Sequence, residues 1–210
     1  GQSIVSWDGT GSGSSPTIGH GLNSAPDCII VKRRSSANGA WPFLHEFDTT
    51  KYLQFQDVDA ASTGATVFDN TAPTSSVFTV NATNAVVNAS GHTYIAYCWH
   101  SVTGYSKFGS YSGTGSNVSV TTGFAPAFTM VKRADSADSW FIFDNTREPD
   151  GIVDLRLEAD TSAAEASVTT GLTYTSTGFT VTSTNGAFNA SGGTYIYMAF
   201  ADKREYAYWL

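Results

Sequence analysis

The sequence predicts an all-β protein built as two tandem β-sandwich repeats of jelly-roll type, packed together. Three observations predict it: few charges beside many aromatic residues, apolar residues alternating in short runs between turn formers, and a chain that repeats itself after about a hundred residues. Hydrophobic residues make up 41% and aromatics 13% of the 210 residues, enough for a real core, while charged residues reach only 14%. Helical proteins draw on straight-chain residues that lose little rotamer freedom, so this balance favours strands and turns.

The formal net charge is −7, with 11 Lys and Arg against 18 Asp and Glu. So few cations cannot release counterions along a phosphate backbone, which argues against a nucleic-acid partner. No apolar run of about 18 residues is present, so no membrane-spanning helix is expected. Cys28 and Cys98 are too few for a disulfide framework; both lie in strand-like runs and are expected as free buried thiols.

The repetition is read block by block. Asn88–Trp99 (NASGHTYIAYCW) returns as Asn189–Phe200 (NASGGTYIYMAF), and Ala25–Arg33 returns as Ala125–Arg133 with the shared ending Val-Lys-Arg. Between them Trp41-Pro42-Phe43 answers Trp140-Phe141-Ile142, Leu53-Gln54-Phe55 answers Leu155-Arg156-Leu157, and Val77–Val80 answers Gly178–Val181. The openings agree too, Trp7-Asp8-Gly9-Thr10-Gly11-Ser12 with Tyr111-Ser112-Gly113-Thr114-Gly115-Ser116. Each of these five central blocks is expected as a strand. The blocks Asn88–Gly91 and Asn189–Gly192 are expected as turns, with Asn and Ser bonding neighbouring backbone. Tyr94, Ala96 and Cys98 share one face and Ile95, Tyr97 and Trp99 the other, so that strand is central, buried between layers. Only Thr161–Ala166 suits a short helix, capped by Asp160 or Thr161. The join falls in Gly104–Gly109, giving repeats over 1–107 and 108–210. No Pro-rich or charge-rich spacer separates them, so the halves are expected to pack together.

Candidate chemistry concentrates in Asp154–Asp160. Period-two geometry sets Asp154, Arg156, Glu158 and Asp160 on one face and Leu155, Leu157 and Ala159 on the other. Paired carboxylates on a jelly-roll strand can hold the acid and nucleophile of a glycoside hydrolase. An ordinary half-exposed strand with its polar side to water explains them better, because copy one carries Gln54 and Gln56 in place of the acids. Asp144, Asn145, Asp150 and Asp160 offer oxygen ligands but no compact calcium loop, and read as turn caps. His20, His45, His92 and His100 lack zinc spacing and read as surface or turn residues; no metal or cofactor is expected. No nucleophile elbow or phosphate loop occurs. The sequons at Asn81, Asn88, Asn117 and Asn189 are no more than so Asn-, Ser- and Thr-rich a chain gives by chance.

The aromatics remain. Trp41 and Trp140 hold matched strand positions and are expected in the core. Trp7 and Tyr111, at the matched openings, join Asp154, Arg156 and Glu158 as candidate ligand-binding residues. The terminal cluster Tyr206, Tyr208, Trp209 and Leu210 has no core of its own to fill and is expected to make subunit contacts, as in a homo-oligomer.

The order GTGS, then the AP-initiated strand ending in VKR, then a Trp-led strand, then GF or VF, then NASGGTYIYMAFA, resembles the repeat module of tail-fibre and other structural proteins of marine bacteriophages. The resemblance covers nearly the whole chain. It implies a lectin-like, concanavalin-type sandwich in a non-enzymatic tail-fibre or surface-decoration protein. The expected place is the virion surface, outside the cell, with other virion proteins as partners and host surface glycans as a further contact. The alternatives are a jelly-roll carbohydrate-active enzyme centred on Glu158 and Asp160, and a bacterial cell-surface adhesion module.

Overall fold

The computed structural model describes residues 1–37 and 39–202, and the protein is all-β. It divides into two compact units, Gly1–His100 and Ser101–Leu210. The first contains β1 (Gln2–Asp8), β2 (Thr17–Gly19), β3 (Cys28–Arg33), β4 (Pro42–His45), β5 (Lys51–Gln54), β6 (Ser62–Thr63), β7 (Val77–Thr79), α1 (Ala85–Asn88) and β8 (Thr93–Trp99). The second contains β9 (Ser106–Ser112), β10 (Val118–Thr121), β11 (Pro126–Arg133), β12 (Trp140–Asp144), β13 (Ile152–Glu158), β14 (Ala166–Thr175), β15 (Gly178–Val181), α2 (Gly186–Asn189) and β16 (Thr194–Ala201). The join expected between 107 and 108 falls inside β9, which lies whole in the second unit.

The two units repeat one strand order. The first sheet runs β1-β8-β3-β4-β5-β6 and the second opens β9-β16-β11-β12-β13, element for element. They part at the next step. In the second unit β14 joins β13 to β15 and β10, so all eight strands form one sheet; in the first, β2 and β7 form a separate ribbon. The sequence difference is physical: β14 is Ala-Ser-Val-Thr-Thr-Gly-Leu-Thr-Tyr-Thr, rich in β-branched residues, whereas the matching stretch carries Pro73 and a left-handed Asp69-Asn70 pair. Thr161–Ala166, expected as a helix, is irregular as far as Glu165, and Ala166 opens β14. The α-helices among the described residues are instead the single turns α1 and α2, with Asn84 accepting from Val86 N at 2.8 Å and Asn185 from Ala187 N at 2.9 Å. No described helix is long and apolar enough to cross a membrane.

Each unit wraps its own core. In the second, Val131, Phe141 and Phe143 from β11 and β12 meet Val120, Leu172 and Phe179 from β10, β14 and β15, so the sheet bends around one interior. In the first, Ile29, Val31 and Leu44 meet Phe68, Phe78 and Val80. The central strands behave as their double-faced apolarity requires: β16 is buried from Tyr195 through Ala199, while β8 alternates between buried Tyr94, Ala96, Cys98 and half-buried Ile95, Tyr97, Trp99. Both cysteines are free and buried. Cys98 stands opposite Ile29 and Cys28 opposite Trp99, one register step apart, so the two thiols project to opposite sheet faces and cannot bridge. Burial pushes the Cys98 thiol up to about 12 and the Cys28 thiol well above its ordinary value.

Candidate functional site

The blocks that repeat most closely assemble into one internal clamp. Asn189 is fully buried; its Oδ1 accepts from Thr114 N at 2.8 Å, and its Nδ2 donates to Ser116 O at 2.5 Å and Ser183 O at 2.8 Å. Asn88 is equally buried and holds Thr10 N at 2.9 Å, Thr10 Oγ1 at 3.0 Å and Ala82 O at 2.7 Å. The Asn therefore ties the Gly-Thr-Gly-Ser opening to the far end of its own unit rather than bonding its neighbours, as a local turn would. Tyr195 and Tyr94 complete the clamp, accepting from Ala190 N at 2.7 Å and Ala89 N at 2.8 Å while donating to Gly186 O and Ala85 O. The sequons at Asn88 and Asn189 are thus internal.

Trp7 and Tyr111, named from the sequence as candidate ligand-binding residues, belong to the same assembly. Trp7 stacks on Tyr94 at 5.4 Å and donates from Nε1 to Val87 O at 3.1 Å; Tyr111 stacks on Tyr195 at 5.0 Å and donates to Phe188 O at 2.8 Å. Each also meets the aromatic of the next layer edge-on, Phe78 or Phe179. An indole and a phenol do one packing job in two copies, with Tyr111 buried and Trp7 half-buried.

The charged run on β13 does come together, but on the opposite face from the one expected. Arg156 lies over the buried Phe141 ring at 5.0 Å and reaches Glu158 at 3.3 Å, whereas Leu157 is 37% exposed. A bulge between Val153 and Leu155 shifts the alternation by one residue. Val153 therefore points into the core and the charged residues beyond it turn to the same side. Glu158 accepts from Ser139 Oγ at 3.3 Å and Thr161 Oγ1 at 3.2 Å. Burial holds the Asp138 carboxyl above its ordinary value despite the opposing charges of Lys132, Arg133 and Arg156. Asp154 sits at the bulge itself, with Glu148 accepting from its amide.

Pairing also resets the match between copies. Phe43 faces Leu53 as Ile142 faces Leu157, and Phe55 N bonds Trp41 O as Ala159 N bonds Trp140 O, both at 2.9 Å. Leu53 therefore answers Leu157, two residues beyond the match expected, and Gln54 and Gln56 answer Glu158 and Asp160. Gln56 accepts from Trp41 N at 2.7 Å just as Asp160 accepts from Trp140 N at 2.8 Å. A neutral amide and a carboxylate perform one capping task, so the task needs an acceptor and no charge. Asp160→Asn is accordingly expected to keep stability within about 0.5 kcal/mol, and Asp160→Ala to lose about 1 kcal/mol, in urea titrations.

The remaining candidates have local partners. Asp144 binds Arg147 at 2.7 Å, Asn145 donates to Asp202, and Asp150 accepts from Ile152 N. Among the described residues no group of three or more His, Cys, Asp or Glu could hold a metal ion. His20 and His45 are buried rather than superficial, each accepting a backbone N–H two residues on, from Leu22 and Phe47. A depression beside β5, lined by His45, Asp48, Lys51 and Tyr52, has a volume of about 10 Å³, room for about one water molecule and far too small for a ligand. The terminal cluster Tyr206, Tyr208, Trp209 and Leu210 lies outside the described residues.

No curated protein and no solved structure matches the chain. A family model does, over residues 1–204, and the chain belongs to that family, described as Domain of unknown function (DUF7483).

Proposed function

We propose that the chain is a non-enzymatic structural protein of a bacteriophage particle, a tail-fibre or surface-decoration module built as two tandem lectin-like β-sandwich repeats. The observation that carries the reading is the use made of the repeated residues. Asn88 and Asn189, Trp7 and Tyr111, and Tyr94 and Tyr195 all serve the internal clamp, and Glu158 and Asp160 are bonded to hydroxyl, guanidinium and backbone groups. Selection for a stable scaffold repeats its staples; selection for catalysis would keep a reactive pair open to substrate. Where the two units differ, Gln stands for Glu or Asp at one hydrogen-bonding task.

Contact with host glycans and with other virion proteins then belongs to surfaces outside the clamp. Immunogold electron microscopy with an antibody against the chain, on particles and cells of the source culture, tests the proposal. Label on particle appendages or shells is expected; label on uninfected cell envelopes would replace it with the adhesion reading. Incubation with a polysaccharide panel is expected to release no reducing sugar, and release abolished by Glu158→Gln would replace it with the hydrolase reading.

A further inference from the structure

The strands β3 and β11 end on matching arginines that the two units treat differently. In the second unit Arg133 donates from Nη1 to Gly186 O at 3.2 Å, and a carboxylate fills its other edge. There Nε donates to Asp135 Oδ1 at 3.0 Å and Nη2 to Asp135 Oδ2 at 3.3 Å. Two parallel, charge-assisted bonds of this kind match the planar fork of a guanidinium. In the first unit Arg33 makes the corresponding backbone bond, from Nη1 to Ala85 O at 3.1 Å.

Its other edge is not filled, because Ser35 stands where the second unit has Asp135. The surrounding bonds fix that match. Thr93 N donates to Ser35 Oγ at 3.1 Å as Thr194 N donates to Asp135 Oδ1 at 3.0 Å, and Arg34 N bonds Thr93 O as Ala134 N bonds Thr194 O. The hydroxyl thus keeps the amide and gives up the guanidinium. His92, in the place of Gly193, meets the Ser35 hydroxyl at 2.9 Å. Arg33 Nε is shielded from water and has no hydrogen-bond partner, an expensive state for a charged donor. Among the described residues no acid pairs with Arg33 or with Arg34. Since Arg34 replaces the buried Ala134, this corner of the first unit gains a positive charge as well as losing a negative one.

We propose that the Arg33 edge beside Ser35 is a binding site for a carboxylate supplied from outside the chain, in the place that the Asp135 carboxylate holds in the second unit. The two oxygens of the ligand accept from Arg33 Nε and Nη2, and Arg34 adds its charge from the exposed side. Residues Arg34–Ala37 are all exposed, so the ligand reaches the guanidinium from the loop side and not through the core. The second unit carries its own carboxylate and takes none.

Titration of the nitrogen-15-labelled chain with sodium acetate, against sodium chloride at equal ionic strength, tests the site through the arginine Nε–H resonances. The Arg33 signal is expected to move toward that of Arg133 and to saturate, with half-saturation on the order of 10 mM for a single guanidinium contact, while the Arg133 signal stays in place. Exchanging the two residues reverses the behaviour. Ser35→Asp is expected to bring the Arg33 signal to the Arg133 position without acetate and to abolish the response; Asp135→Ser is expected to make Arg133 respond. An Arg33 signal that does not move, or that moves equally with chloride, overturns the proposal, as does an acetate response undiminished in Ser35→Asp. Should an exchanged variant fail to fold, the wild-type titration decides alone, because it sets Arg33 against Arg133 in one molecule.

Discussion

Asn189→Ala is expected to lower the stability of the second unit by about 3 kcal/mol, the sum of three hydrogen bonds removed from a buried site. Not all three partners suffer alike. Thr114 and Ser116 lie at the surface, where water replaces the amide, but Ser183 is 1% exposed and its carbonyl keeps no substitute at that angle. Asn189→Asp separates donation from mere polarity. The carboxylate still accepts from Thr114 N, yet it turns a negative charge on the Ser116 and Ser183 carbonyls and is expected to be worse than Ala. Urea unfolding followed by exchange of the Val131 and Tyr197 amides reads both variants. A loss below about 0.5 kcal/mol for Asn189→Ala would show that the clamp is incidental to the fold. Asn88→Ala is expected to act in the same way on the first unit, through Thr10 and Ala82.

The clamp also marks the limit of what the sequence makes legible. Alternating apolar runs announce β3, β4, β8 and their counterparts β11, β12, β16, because a buried strand shows its period in its own residues. The duplication announces the common strand order. Asn88 and Asn189 also stood out as repeated, but the Thr10 and Thr114 amides that they hold lie more than seventy residues away, and a local reading makes them turn residues. The available clue was that the Gly-Thr-Gly-Ser and Asn-Ala-Ser-Gly blocks recur together, each copy having one of both. β1 and β9 escaped because their faces alternate aromatic with Ser, a weak apolar signal, and β14 escaped because the first copy has no equivalent strand. The face of Arg156 and Glu158 was inverted by a bulge, and a bulge leaves no period of its own in a seven-residue strand.

Gly113→Ala is expected to cost about 3 kcal/mol, although Gly113 needs no left-handed backbone. Its requirement is close approach. A Cβ there would stand 2.2 Å from Ala190 O and 2.9 Å from Tyr195 Cε2, in the seam where Gly113 N bonds Gly193 O at 2.8 Å. Neither neighbour can yield freely, because Ala190 is held by the Tyr195 hydroxyl and Tyr195 is fully buried. Gly115 provides the contrast: its φ is +72°, but the nearest atom to an added Cβ is Ser191 Cβ at 3.8 Å, so Gly115→Ala meets only backbone strain, about 1 kcal/mol. The ranking reverses what a preference for glycine in turns alone would give. Gly113 and Asn189 lie on the two sides of one seam, so their effects are expected to combine less than additively. Once Asn189→Ala has released the Thr114 loop, the strand end can move away from Ala190 and admit the methyl group. A double-mutant cycle in urea reads this coupling, and strict additivity would mean that the glycine and the asparagine secure separate parts of the unit.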